Sequence, residues 1–557
     1  MKPLPMIGRL SAVPAFRLLI CLSLGCGLSL WAQNDSNVSS QQAYTVRGSV
    51  ISKSNGQPVA RALVTMEGQS TGAVFTDNDG HFEFHDVPPG QSILLTMRPG
   101  FNGSARFGGE QHRIQVGANM PDITIALMPA GAISGQITLS TSDSAENIQV
   151  NLLRKEIQNG RAFWQQIKSR STNSEGRYFF GNLDPGAYRI YTSGSTDPDP
   201  DSGRSHPRWG YPPEYFPEDS DGSGNAALNL QPGQRLEADL LLTHEQFFPV
   251  TVTISNVERG ANIQVFDLAG HSLPYPSQFS PRDQTVHLDL PPGSYRLEGT
   301  AFGLKPAFGD AQITVSNAYA STSMALLPIN PIPVMIHREF TGQSQSMIRF
   351  GGGQEPEWFS AGVNLNLHRN AAGMSGFAGG NLRRNPNSAD NSSYILENIR
   401  PGSYSVQANG FQGYVASVTS GGVDLAQHPL VVGSGGTSAP IDVVLRDDSA
   451  TLTVSLKNQA NSGSGNSGPQ GYVSLVPQFS TPSQIPENAP LAQTEIQIGN
   501  LPPGSYRVIA FDTPQQLEYT NPDAMRAIAG KGEIVTLSPG GTAQVSLDIT
   551  SAGTEAQ

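Results

Sequence analysis

The chain has 557 residues, with 34 Lys and Arg against 46 Asp and Glu, so its formal net charge is −12. Charged residues make up only 14% of it, whereas Gly and Pro contribute 60 and 42 residues. Ordinary globular chains carry about 25% charged residues, so this composition excludes a coiled coil, a basic nucleic-acid binder and disorder driven by like charges. The length suggests about three to five domains.

The first element is a predicted export signal at residues 1–32. Lys2, Arg9 and Arg17 precede or open an apolar run over residues 18–31, which suits a secretory signal and is short for the ~20 residues that span a bilayer. Cleavage is predicted after Ala32, and the alternative is a lipoprotein signal acylated at Cys26. No later segment is apolar for long enough to cross a membrane.

Cleavage after Ala32 would change the chemistry of the chain. Both cysteines leave with the signal, and the loss of three positive charges takes the net charge from −12 to −15. The mature chain then has no disulfide, no thiolate metal ligand and no Cys nucleophile. Its negative charge disfavours nucleic acid and anionic membrane surfaces. We predict a secreted, periplasmic or outer-surface protein with no nucleic-acid partner, no membrane span and no cofactor.

A short phrase, apolar-x-Pro-Gly-x-Tyr-x-apolar, recurs after the signal. Its glycines are Gly186, Gly293, Gly402 and Gly504, and a degenerate copy at Gly90 has Ser92 in place of Tyr. Such regular recurrence predicts one domain for each copy. Pro fixes φ and Gly accepts positive φ, so Pro-Gly predicts a tight type II-like turn. The Tyr would then face the core, with its hydroxyl bonded to the backbone as in a tyrosine corner.

The repeats open and close with strands of alternating polarity, such as residues 46–50 and 123–127 in the first. Period-2 patterning with frequent turns predicts β-sandwiches, and a short helix is expected only at 521–528. We therefore predict an all-β tandem array of about five Ig-like or prealbumin-like antiparallel β-sandwich modules. If extended, the array would form a rod of roughly 150–200 Å. The predicted bounds of modules 1 to 5 are 43–129, 130–245, 247–328, 330–446 and 449–550.

The first module resembles a known domain family. Val46-x-Gly48-x-Val50, residues 56–64, residues 76–84 and residues 87–90 together are similar to the carboxypeptidase regulatory-like domain, and module 2 keeps a weaker version at 173–180. The resemblance implies a transthyretin-like seven-stranded sandwich, with kinship to carbohydrate-binding-like folds and Cna-B-type surface modules. Relatives can carry Lys–Asn isopeptide cross-links; Lys53 is the nearest analogue, with no partner assigned. The resemblance implies no peptidase activity, since this domain is the non-catalytic appendage of metallocarboxypeptidases.

Motifs that suggest catalysis or metal binding are better explained as turns. The ten His residues form no His-Glu-x-x-His motif, which a zinc peptidase would need. Residues 68–72 match a nucleophile elbow without its strand-turn-helix setting, and residues 463–468 match a dinucleotide fingerprint without a following helix. Residues 77–80 open like a calcium loop but lack its bidentate Glu, so an Asx turn is favoured. Calcium there, or near Asp197, Asp199 and Asp201, is the lesser alternative.

The strongest binding candidate is the insertion between Thr192 and Asn225. It places four aromatic residues close together among prolines and acids, namely Trp209, Tyr211, Tyr215 and Phe216. Aromatic faces stack on sugar rings and carboxylates accept hydroxyl hydrogen bonds, so these residues are a candidate ligand site. The alternatives are a satellite core beneath a long loop, which we favour, or a contact with a protein. Exposed, roughly coplanar rings would favour sugar binding.

Two further aromatic positions have simpler interpretations. Trp358-Phe359 is a lesser binding candidate, and Trp164 is predicted to pack on a sheet face.

The chain shows no spacing of titratable groups that supports catalysis, so we predict a protein that is not an enzyme. The first hypothesis is an exported multi-module binding or scaffold protein of the bacterial cell envelope or exterior. The alternative is a carbohydrate-binding protein that uses loop aromatics, and a remote alternative is the regulatory part of an envelope peptidase system. The partner would be an envelope or extracellular protein or a polysaccharide; its identity and the oligomeric state stay open.

Overall fold

A computed structural model describes residues 43–551 apart from internal gaps. The gaps are residues 69–71, 104–108, 198–207, 219–225, 258, 269, 303–306, 342–360, 370–376, 379–380, 391, 412, 458–470, 492–494 and 527. Several predictions lie outside the described residues: the signal at 1–32, Cys26, Trp358-Phe359, the fingerprint at 463–468, most of the elbow at 68–72, and Asp199 and Asp201 of the calcium alternative.

Module 1 is a sandwich of two four-stranded sheets. Its strands are β1 (Tyr44–Ser52), β2 (Leu63–Gly68), β3 (Gly72–Phe75), β4 (His81–Val87), β5 (Gly90–Met97), β6 (Phe101–Asn102), β7 (Glu110–Val116) and β8 (Ile123–Pro129). The sheet orders are β4-β1-β8-β6 and β3-β2-β5-β7. Alternate residues of β1 are buried, as a half-buried strand requires.

Module 2 adds the long hairpin and the insertion. Its strands are β9 (Gly131–Leu139), β10 (Gln149–Gln158), β11 (Arg161–Ser171), β12 (Arg177–Leu183), β13 (Gly186–Thr192), β14 (Ser195–Thr196), β15 (Arg208–Tyr211), β16 (Tyr215–Phe216), β17 (Leu228–Leu230), β18 (Arg235–Glu237) and β19 (Leu240–Leu242). The sheet orders are β11-β10-β13-β16, with β17 also on β13, and β12-β9-β18, with β19 also on β9.

One sheet of module 3 includes two strands of the insertion, β14 and β15. Its own strands are β20 (Glu245–Ser255), β21 (Ala261–Phe266), β22 (Ser272–Leu273), β23 (Gln278–Ser280), β24 (Thr285–Leu290), β25 (Gly293–Ala301), β26 (Ala307–Val315), β27 (Ala320–Ala325) and β28 (Leu327–Pro328). One sheet runs β14-β15-β20-β24-β23, with β27 on β20, and the other runs β22-β21-β25-β26-β28.

Module 4 pairs a six-stranded sheet with a four-stranded one. Its strands are β29 (Ile332–Glu339), β30 (Val363–Arg369), β31 (Phe377–Ala378), β32 (Asn381–Arg384), β33 (Ser393–Glu397), β34 (Gly402–Gly410), β35 (Tyr414–Ser420), β36 (Val423–Asp424), β37 (Leu430–Val432) and β38 (Ile441–Arg446), with a 3-10 turn at Ser434–Gly436. The orders are β32-β33-β29-β38-β35-β36 and β31-β30-β34-β37.

Module 5 contains the predicted short helix. Its strands are β39 (Ala450–Leu456), β40 (Gly471–Pro477), β41 (Ala489–Leu491), β42 (Glu495–Leu501), β43 (Gly504–Phe511), β44 (Glu533–Leu537), β45 (Thr542–Leu547) and β46 (Ile549–Thr550), with α1 at Pro522–Arg526. The orders are β42-β39-β45 and β41-β40-β43-β44, with β46 on β43. No helix in the described part of the chain is both long and apolar enough to cross a bilayer.

Each module has its own core. A cluster of buried apolar side chains fills the space between the two sheets within each of the five predicted ranges. The predicted fold class, a tandem array of all-β sandwiches, is confirmed.

One feature of the sheets differs from the antiparallel pattern. In every module the opening and closing strands pair in parallel, as β1 does with β8 and β39 with β45. Parallel pairing makes the chain leave each sandwich at the end opposite to its entry. Modules can therefore follow one another without a long return connection.

The repeated phrase forms a tyrosine corner in four modules. The hydroxyls of Tyr188, Tyr295, Tyr404 and Tyr506 each donate to the carbonyl oxygen four residues earlier, at 2.6, 2.9, 2.8 and 2.7 Å. All four side chains are buried, and burial raises the pKa of Tyr188 to about 12. In module 1 the Ser92 hydroxyl is buried at the same position without a hydrogen-bond partner.

The turn before this tyrosine is not the predicted type II-like turn. Gly186, Gly402 and Gly504 have φ of 153°, 155° and 153°, far from the value near +80° that a type II turn requires. The Asn four residues before each of them, Asn182, Asn398 and Asn500, has φ of 53–63°. An Asn in the left-handed region therefore lies within one residue of the end of the preceding strand, and Gly begins the next strand.

Replacing Tyr506 with Phe should loosen module 5 without emptying its core. The ring volume is kept, but the buried carbonyl of Pro502 loses its 2.7 Å partner. Such a loss costs about 1–3 kcal/mol, so we expect hydrogen exchange of the β43 amides to accelerate roughly fivefold or more. Ser505→Ala is the control, because its exposed bond to Thr536 contributes little. Equal exchange in both variants would contradict a stabilising corner.

Candidate functional site

The aromatic insertion lies where modules 2 and 3 meet. Strand β15 pairs with β20 of module 3, whereas β16 pairs with β13 in module 2. Arg208 on β15 lies 3.3 Å from Asp289 of module 3. The insertion therefore links two sandwiches through backbone pairing and an ion pair.

Two of the four predicted aromatic residues surround His244. Trp209 is 41% exposed and stacks on the His244 ring at 5.2 Å, while Tyr211 is 8% exposed and packs against the same ring at 5.0 Å. The Tyr211 hydroxyl is bonded to Thr141 at 2.8 Å. Of this pair, only Trp209 presents much of its surface to solvent.

The other two aromatic residues pack inward. Tyr215 stacks on Tyr191 at 5.5 Å and lies 4.7 Å from the His271 ring, and its hydroxyl donates to Asp267 at 3.1 Å. Phe216 packs against the core of module 2. Burial alone would raise the pKa of Asp267, but hydrogen bonds from His271 and Tyr215 lower it.

The four rings therefore do not form one exposed, coplanar platform. Trp209 offers a face to solvent, Tyr215 supports the contact between modules 2 and 3, Tyr211 packs against His244, and Phe216 packs on the core of module 2. The favoured interpretation, a satellite core beneath a long loop, stays a prediction, because residues 198–207 and 219–225 of the insertion lie outside the described residues.

The remaining described motifs have structural roles. The Asp77 carboxylate accepts hydrogen bonds from the amides of Asp79 and His81 at 2.9 and 2.8 Å, which is the predicted Asx turn. Trp164 is 7% exposed and packs with Leu153 and Tyr191 on the sheet face. Among the described residues, no group of three His, Cys, Asp or Glu side chains is placed to hold a metal ion.

A junction of three modules is the feature that sequence reasoning missed. The β10–β11 hairpin of module 2, ten and eleven residues long, reaches modules 4 and 5. Asn159 at its turn donates from its side chain to Gln407 of module 4 at 2.6 Å, and from its backbone to Glu487 of module 5 at 2.7 Å. Modules that are distant in sequence are thus in contact, so the described array is not an extended rod.

Further contacts hold both sides of the hairpin. Lys155 forms a partly buried ion pair with Glu518 at 3.2 Å, and Arg161 donates to the Ser405 hydroxyl. Thr520 donates its backbone N–H to the carbonyl of Gly160 at 3.1 Å. Burial raises the pKa of Glu487, although the backbone N–H groups of Asn159 and Gly160 lower it.

The hairpin turn itself carried a sequence signal for this site. Asn159 and Gly160 have φ of 50° and 72°, the two positive values of a type I′ turn, and Asn-Gly is the sequence most typical of it. A Cβ at Gly160 would lie 2.4 Å from the ring of Tyr519. Glycine is therefore required both by the backbone and by the neighbouring module.

Two cavities flank this turn. One of about 350 Å³ is lined by the hairpin, β34 and residues 477–483 of module 5. The other, of about 400 Å³, lies between Gln158, Asn409 and Glu487. Both lie between modules rather than inside a sandwich.

Comparison with known families identifies one module. Residues 45–127 match the carboxypeptidase regulatory-like domain. The match covers module 1, so the resemblance predicted for this module is confirmed. No curated protein matches the chain.

Solved structures show distant similarity. The Bacillus anthracis TIE protein is 10% identical over 51% of this chain and 50% of its own, with a TM-score of 0.17. The minor pilin of Streptococcus agalactiae is 11% identical over 36% of this chain and 96% of its own, with a TM-score of 0.18. Two B repeats of the collagen-binding protein of Staphylococcus aureus are 10% identical over 73% of this chain and 100% of their own, with a TM-score of 0.12. These values are too low to extend to function.

Gly160→Ala should open the three-module junction. The change places a methyl group against Tyr519 in addition to the roughly 1–2 kcal/mol cost of a left-handed backbone at a non-Gly residue. Gly56→Ala is the matched control, because Gly56 has φ of 69° with nothing within 4 Å of the new methyl.

We expect hydrogen exchange of the Thr520 amide to rise at least tenfold in Gly160→Ala and to stay unchanged in Gly56→Ala. Equal protection of the Thr520 amide in the two variants would show that the junction stays closed without glycine at position 160.

Proposed function

We propose that the protein is an exported, non-catalytic, multi-module binding or scaffold protein of the bacterial cell envelope or exterior. The observation that carries this proposal is the junction of modules 2, 4 and 5, where sandwiches meet around polar cavities. Binding needs a surface of fixed shape, which the packed hairpin supplies. Catalysis needs convergent titratable groups, whereas the lining side chains are mainly amides and hydroxyls.

The charge of the chain supports the same class of partner. A net charge of −12 disfavours nucleic acid and anionic membrane surfaces, so a protein or polysaccharide is the preferred partner. The match of module 1 to a regulatory-like domain also favours a non-catalytic role. Export rests on the apolar run over residues 18–31 behind three positive charges.

Export is tested by expressing the full chain in a bacterium with a carboxyl-terminal tag. We expect the protein in the envelope or medium with Gln33 as its first residue, and the same product from Cys26→Ser. Loss of processing in Cys26→Ser would instead indicate a lipoprotein. An uncleaved protein confined to the cytoplasm would contradict the proposal.

A second candidate function, carbohydrate binding at the insertion, depends on Trp209. This ring is 41% exposed and is held by stacking on His244, the arrangement that a sugar-stacking residue needs.

For this candidate, we expect Trp209→Ala to lower retention of the mature protein on a panel of insoluble polysaccharides. Phe75→Ala, which removes a 68% exposed aromatic side chain from module 1, should have no effect. Unchanged retention in Trp209→Ala, or no retention of either protein, would remove the insertion as a sugar site.

A further inference from the structure

The 350 Å³ cavity beside the hairpin turn has an unusual charge for this protein. Arg161 is one of its lining residues, and no acidic residue is found among those that line it in the described part of the chain. The chain as a whole has a net charge of −12. Arg161 is thus the one charged side chain among the described lining residues, with Glu487 beside them on the amide of Asn159.

The Arg161 guanidinium is available to a ligand. Its Nη1 donates to the Ser405 hydroxyl, and it makes no ion pair with a described residue. A guanidinium has five N–H donors, so most of its donors are left for a second partner. Burial and the nearby Arg161 lower the pKa of His368, so this imidazole is neutral at pH 7 and does not compete for an anion.

The other lining groups suit hydroxyls and C–H surfaces. Gln407, Gln478 and Thr481 supply amide and hydroxyl groups, which both donate and accept hydrogen bonds. Phe479 and Tyr519 supply aromatic surface in the same cavity. The volume lies at the small end of ligand pockets, which run from about 300 to 1,000 Å³.

We propose that this cavity binds a small polyhydroxylated carboxylate of the uronic-acid class. The Arg161 guanidinium pairs with the carboxylate, because planar two-bond recognition of carboxylates is the geometry that Arg favours. The amides and Thr481 bind the hydroxyls, and the aromatic rings contact the C–H face. The assignment rests on the proposed binding function and gives it a ligand class. The site is distinct from Trp209, since it belongs to modules 2, 4 and 5.

The test is a titration of the mature protein with methyl glucuronide and methyl glucoside, which differ in the carboxylate alone. We expect the glucuronide to bind at least tenfold more tightly. Arg161→Gln should weaken glucuronide binding roughly tenfold or more and leave the glucoside unchanged. Phe75→Ala, at an exposed aromatic side chain of module 1, should change neither.

Two variants separate ligand contact from damage to the junction. Ser405→Ala removes the hydrogen bond to Arg161 but keeps the guanidinium, so binding should be retained within a few-fold. Arg161→Lys keeps the charge but loses the two-bond geometry, so it should bind with intermediate affinity. Hydrogen exchange of the Thr520 amide reports whether each variant keeps the junction closed.

The ligand assignment is overturned if wild-type protein binds neither sugar, or binds both equally, while Thr520 stays protected. It is also overturned if Arg161→Gln binds the glucuronide like wild type. Neither result bears on export, which is measured in a separate experiment. Failure of the ligand assignment is therefore distinguishable from failure of the proposed function. A galacturonate trimer in the same titration distinguishes two sources of the ligand. Tighter binding of the trimer than of the single sugar indicates a polysaccharide, and equal binding indicates a free sugar acid.

Discussion

The modules depend on one constraint, the point at which the chain crosses from one sheet to the other. In each module the Pro-Gly phrase joins a strand of the first sheet to a central strand of the second, as β42 is joined to β43. In modules 2 to 5 the buried tyrosine hydroxyl ties the second strand back to the turn that follows the first. Because this bond crosses between the layers, it fixes their relative position, which packing of apolar side chains alone does not specify. This matters in a chain whose only cysteines are Cys21 and Cys26.

Variation among the modules shows what the corner requires. Module 3 keeps the tyrosine bond, but its Asp289 stays in a regular ladder with Pro249 rather than in the left-handed region. That carboxylate instead binds Arg208 from the insertion. The position that is left-handed in the other modules is here a contact with the insertion, because β15 and β24 both pair with β20.

The fold could be predicted from sequence because its signals are local. Alternation of apolar residues, Pro-Gly and the tyrosine two residues later all act within a few residues of one another, so the sandwiches and corners follow from the pattern. The parallel pairing of β1 with β8 could not be predicted from local patterns. It joins the first and last long strands of the module, so it depends on the course of the whole chain between them. The pairing of the insertion with strands of both module 2 and module 3 was not predicted, for a related reason. The four aromatic residues indicated burial or binding, but composition does not tell which ring meets His244 and which meets Tyr191.

The junction was the least predictable part, because its residues are separated by hundreds of positions and belong to different modules. The Asn159-Gly160 turn could be recognised as a hairpin, yet nothing near it names Gln407 or Glu487 as partners. The same separation explains why a cavity forms there. In the described part of each sandwich, buried side chains fill the space between the sheets, whereas the two cavities at the hairpin lie between modules. Modules 4 and 5 also meet directly, through bonds from Ala408 and Val415 to Pro482 and Ser483, and the two cavities lie beside these contacts and the hairpin turn. A binding site in such an array therefore follows from contact between distant modules, and any change that opens the junction should also remove the site.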